Sequence, residues 1–154
     1  MKRILPIVIG FAMVFGLSVN AFGHCEIPCG IYDDQMRIEM IREHITTIEK
    51  SMKMIQHLQG EKHQHANQLT RWIVNKEEHA DKLQHIVSQY FMTQRVGLDA
   101  EKYTEKVSLL HHMLIFAMKC KQTTDLDNVE KLRKLVDQFE SLYFEKEKKK
   151  TGES

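Results

Sequence analysis

The 154-residue chain carries 22 basic and 21 acidic residues, seven glycines and two prolines. A charge so near zero argues against a nucleic-acid partner, and so little glycine and proline argues against a β-sandwich or Rossmann architecture, which needs many turn residues. No G-x-G-x-x-G, P-loop or G-x-S-x-G string occurs, which removes phosphate-cradling and nucleophile-elbow chemistry.

The first 23 residues read as an export signal: Lys2 and Arg3, an apolar run over 4–19, then Ala21 and Gly23 as the small residues a signal peptidase prefers. Cleavage after Gly23 leaves 131 of the 154 residues as one domain, 24–154, and takes two of the 22 basic residues, so 20 face 21 acidic ones. No other stretch approaches the roughly 20 apolar residues of a membrane span, so the processed chain is expected to have no stable membrane anchor. Left uncleaved, the same run could act as a tether. The expected location is bacterial and exported, periplasmic or secreted.

Four helices follow. Over 33–58, Ile41, Ile45, Ile48, Met52 and Ile55 recur at steps of four and three, one apolar stripe. Gly60 breaks the chain before a second helix over 61–94, whose stripe is Ala66, Leu69, Ile73, Ala80, Leu83, Val87 and Tyr90, with Lys76 as its polar interruption. After Gly97, Asp99 is expected to cap a third helix with Ala100, Tyr103, Val107, Leu110, Leu114 and Ala117 inward, ended by the polar run 121–125. Thr124 or Asp125 then caps a fourth, with Val129, Leu132, Val136, Phe139 and Tyr143 inward and a charged tail over 148–154. Short connections between such stripes predict an all-α fold, an antiparallel up-down-up-down four-helix bundle over 33–147.

Within the bundle, Cys120 reads as a small buried hydrophobe, and His111-His112, His63-x-His65 and His79 read as surface histidines. No histidine has a glutamate three residues before it, so a di-iron carboxylate site is not indicated, and no C-x-x-C-H string offers haem attachment.

The chemistry-bearing segment is 24–32, His24-Cys25-Glu26-Ile27-Pro28-Cys29-Gly30-Ile31-Tyr32. A new terminus at His24 would supply an α-amine and an imidazole, Cys25 a backbone nitrogen and a thiolate, and Cys29 a second thiolate. Nitrogen and sulfur donors arranged in a plane suit Ni(II) or Cu(II), whereas Zn(II) takes a tetrahedron. Pro28 and Gly30 permit the reversal that returns Cys29 to Cys25. Two cysteines at this spacing in an exported chain could instead form a disulfide.

The string H-C-x-x-P-C-G-x-Y followed by a helical bundle resembles nickel-containing superoxide dismutase, and Ser88-Gln89-Tyr90-Phe91 adds to the resemblance. The resemblance implies an oxidoreductase that converts superoxide to oxygen and hydrogen peroxide by one-electron cycling of one nickel ion per subunit. It implies His24, Cys25 and Cys29 as metal ligands, Tyr32 guarding the substrate pocket, Tyr90 as a second pocket tyrosine, and Glu39 orienting the axial imidazole. It further implies a homohexamer, and a signal peptidase or dedicated protease that exposes His24. The chain departs from the family at Glu26, where many members have aspartate, in having one residue fewer between Tyr32 and Arg37, and in lacking an arginine around His79. The alternative is an exported helical nickel- or copper-binding or sensor protein without turnover, which would need neither Tyr32 nor Glu39.

Overall fold

The computed structural model describes residues 30–60 and 65–145, so the expected export signal, most of the expected hook with His24, Cys25, Pro28 and Cys29, and the lysine tail lie outside the described residues. Among the described residues the chain is all-helical. Helix α1 spans Asp34–Gln59, α2 spans Ala66–His85 and runs into a π-helical segment at Ile86–Arg95, α3 spans Tyr103–Gln122 and α4 spans Asp127–Tyr143.

Asp33 starts α1 by accepting the Met36 amide on its side chain at 2.9 Å, satisfying one of the orphan N–H groups of the first turn. The predicted stripe of α1 is buried throughout, and Ile38 extends it by one turn. Partners across the bundle fix direction: along α1, Asp34 meets Arg95, His44 meets His79 and Ser51 meets Asn75, so numbers fall on α2 as they rise on α1. Beside its other flank, Asp34 meets Tyr143, Arg42 meets Glu140 and Glu49 meets Arg133 on α4. Helix α3 closes the ring against α2 through Gln84 and Leu114, and against α4 through Lys106 over Tyr143 and Lys131 over Phe116. Each helix therefore runs antiparallel to its two neighbours.

Three boundaries differ from the periodicity. The second helix begins at Ala66, and its predicted stripe turns inward only from Ala80; Ala66 and Ile73 are exposed while Lys76 is buried. Lys76 is not an interruption but a partner: its ammonium donates to the carbonyl oxygens of Lys121 and, at 3.3 Å, Thr123, where α3 ends with unpaired acceptors. Lys76→Met is expected to cost about 1–3 kcal/mol in a urea melt, since the apolar stem is kept and only the charge-assisted bonds are lost. Asp99 does not cap α3. Two tight turns, Ala100 amide to Gly97 and Tyr103 amide to Ala100, delay the helix, and Lys102 enters it at φ 54. Asp125 does work at the start of α4, accepting the Asp127 amide at 3.0 Å, although the helix itself opens two residues later.

In the core, α4 buries Val129, Leu132, Val136 and Phe139 as its spacing requires, and α3 buries Leu110 and Ala117 together with Met113 and Cys120. The Cys120 thiol is fully buried and pushed up to about 11 by that burial, which leaves it a packing group rather than a nucleophile. No helix among the described residues is long and apolar enough to cross a membrane.

Candidate active site at the head of the bundle

The described chain enters the bundle from Gly30, whose φ of +79 is the left-handed turn that only glycine adopts without strain. Two residues later Tyr32, 39% exposed, lies edge-on to Tyr90 with ring centroids 5.8 Å apart. The two tyrosines singled out in the sequence, 58 positions apart, thus meet just before the start of α1.

The π-helical winding explains how Tyr90 reaches this place. In a π-helix each amide bonds five residues back, as the Val96 amide does to Phe91 at 2.9 Å, so residues five apart align along one side. Side chains reinforce the wide turns: Thr93 Oγ1 donates to the Ser88 carbonyl and Gln94 Nε2 to the Gln89 carbonyl, both at 2.8 Å. Tyr90 and Arg95, five apart, consequently converge on one carboxylate, Asp34.

Asp34 accepts from Tyr90 Oη at 2.6 Å and Arg95 Nε at 2.7 Å on Oδ1, and from Arg95 Nη2 at 2.6 Å and Tyr143 Oη at 2.7 Å on Oδ2. Burial alone would raise its carboxyl, but the hydrogen bonds from Arg95, Tyr90 and Tyr143 outweigh that and hold it below the usual carboxylate range. Burial and the Asp34 bond together push the Tyr90 phenol up to about 12, and the same two causes raise Tyr143. The bond to Asp34 likewise raises Arg95, whose guanidinium carbon sits 4.3 Å from the centre of the Tyr32 ring. Arg37 lies over the Tyr90 ring at 5.0 Å. Beneath them Phe91, fully buried, packs edge-on against Tyr90, Phe139 and Tyr143.

Of the predicted site residues, Tyr32 and Tyr90 are brought together. Glu39 stands apart from them on α1, exposed, its carboxylate accepting from Gln35 Nε2 at 3.0 Å. His24, Cys25 and Cys29 lie outside the described residues. Asp34, Arg95 and Tyr143 were not singled out by the sequence. A salt bridge between the ends of different helices leaves no periodic signal, and Asp34 read only as part of the start of α1.

A second histidine feature also emerges. His79, expected at the surface, packs with buried His44, their Nδ1 atoms 3.1 Å apart, so one ring donates and the other accepts. Burial lowers both from their ordinary value of 6.5; His79 adds to the shift at His44, Lys82 repels a proton from either ring, and Glu43 opposes. The native pair stays neutral where the unfolded chain takes up protons, so stability rises with pH through the window just below 6.5 and is lost on acidification. The urea midpoint is expected to fall between pH 7.5 and 5.5, and His79→Gln to flatten part of that slope.

Residues 18–148 match the family described as nickel-containing superoxide dismutase. Among curated proteins, the chain is 28% identical over 136 residues to a superoxide dismutase [Ni] of Streptomyces coelicolor, covering 88% of this chain and 96% of that one. No solved structure matches the chain. The match takes in the hook string, the two meeting tyrosines and all four helices: the chain belongs to the nickel-containing superoxide dismutase family.

Proposed function

We propose that this dismutase assembles its metal site from the processed N-terminus, with His24 providing its α-amine and imidazole, Cys25 its backbone nitrogen and thiolate, and Cys29 its thiolate. The donor set fits the metal: anionic sulfur and nitrogen donors able to lie in one plane suit Ni(II), and the same donors stabilise its higher oxidation state. When bound, nickel supplies the one-electron exchange by which superoxide becomes oxygen or hydrogen peroxide. The protein's own contribution is access and protons. Tyr32 restricts the approach to the metal, its ring seated against Tyr90 and Arg95. Glu39 orients the His24 imidazole, the exposed carboxylate being open to a partner from the hook.

The observation that best supports this reading is the edge-on contact of Tyr32 with Tyr90, which brings the two tyrosines together two residues after Gly30, where the described chain begins. Residues 1–23 act as an export signal, the working compartment is the periplasm or the medium, and six copies form the assembly. Native mass spectrometry of protein from an exporting, nickel-supplied host tests these points together. Subunits beginning at His24, with one nickel each and in sixfold assemblies, are expected. A chain beginning elsewhere, or one beginning at His24 that is two hydrogens light and metal-free, would favour the disulfide and overturn the hook. One extra residue left before His24 is expected to abolish nickel binding and dismutation, since the α-amine becomes an amide; full activity of that form would refute the amine ligand.

A further inference from the structure

The carboxylate of Asp34 is saturated by the fork of Arg95 and the hydroxyls of Tyr90 and Tyr143. A phenol has one hydrogen to donate. That of Tyr90 is spent on Asp34 Oδ1, at 2.6 Å, and the ring is 3% exposed, so its hydroxyl has no proton left for a reactant. Tyr32 is different: it is 39% exposed, and among the described residues it is held by its ring alone, between the edge of Tyr90 and the guanidinium of Arg95. An unpaired guanidinium in this half-buried position would be costly and would also attract the anionic substrate away from the metal. Paired with Asp34, it forms a seat of zero net charge whose flat face carries the tyrosine ring.

We propose that Asp34 and Arg95 are the positioning pair of the substrate pocket: Asp34 locks Tyr90 by its hydroxyl and fixes Arg95 as the platform for Tyr32, which leaves Tyr32 as the pocket tyrosine with a proton to offer. Tyr90 then acts through its ring. The inference rests on the reading of Tyr32 as the residue that guards the metal, and adds the two residues that hold it there.

The test uses the processed, nickel-loaded protein with 3-fluorotyrosine at its four tyrosines. Fluorine resonances are assigned by single Tyr→Phe variants. Arg95→Met is expected to move and narrow the Tyr32 resonance, and to lower kcat on the order of ten- to a hundredfold with nickel content unchanged. Arg95→Lys keeps the charge but not the planar fork, so it should restore thermal stability while leaving Tyr32 displaced. An unmoved Tyr32 resonance in folded Arg95→Met, or full return of that resonance and of kcat in Arg95→Lys, would overturn the proposal. Should Arg95→Met fail to fold with Asp34 left uncompensated, the double variant Asp34→Leu/Arg95→Leu removes both charges and is read the same way. The fluorine shift needs no turnover, so a wild type without dismutation would count against the proposed function and leave the positioning of Tyr32 to be decided by the spectrum.

Discussion

Replacing Cys25 or Cys29 by serine is expected to abolish nickel binding and superoxide turnover while leaving the helical content unchanged. Serine keeps the size of the side chain but presents a neutral hydroxyl in place of a thiolate, and a d⁸ ion bound by soft anionic donors loses both affinity and access to its higher oxidation state. Among the described residues the core runs from Ile38 through Phe139 and draws on all four helices, which is the ground for expecting the fold to persist. Far-UV circular dichroism and the melting temperature of the metal-free chain should therefore coincide for wild type and both variants, with nickel content and dismutation falling to background. Retained nickel in either variant would remove that cysteine from the ligand set. Loss of the fold would show instead that the hook belongs to the core.

The sequence was most readable where one rule acted alone. The stripes of α1 and α4 followed from spacing because each faces the bundle axis over its whole length. The first half of α2 misled because periodicity records hydrophobicity but not the presence of a neighbour: Ile73 and Val74 are apolar yet exposed, and Lys76 is charged yet buried against the open carbonyls of α3. Asp99 has the chemistry of a cap, but the following turns, with Lys102 in the left-handed region, set the helix start beyond its reach. The π-helical segment has no signature in the residue pattern, and it determines that Tyr90 and Arg95 point together. Tyr32 and Tyr90 were legible as motif residues. Asp34, Arg95 and Tyr143 join the start of α1, the end of the π segment and the end of α4, and such a junction exists only once the chain is folded.

That junction stands on Phe91, and truncating it should produce the largest loss of stability. The ring is fully buried at the centre of an aromatic group, 5.1 Å from Tyr90 and Phe139 and 5.6 Å from Tyr143. Phe91→Ala removes the transfer energy of the ring, its edge-to-face contacts and the support of two hydroxyl donors to Asp34, and is expected to cost about 3–5 kcal/mol. For a domain of this size that is a fall of roughly 10–20 °C in Tm. Phe91→Leu refills most of the space and should cost about 1–1.5 kcal/mol. Calorimetry and turnover of the two variants, read together, separate two roles of the position. If stability depends on volume alone, Phe91→Leu should approach wild type in both Tm and turnover. If the aromatic stack also sets the seat of Tyr32, Phe91→Leu should lose only a few degrees of Tm and yet most of its turnover, because Tyr90 is then free to tilt about its bond to Asp34 and carries the edge of Tyr32 with it.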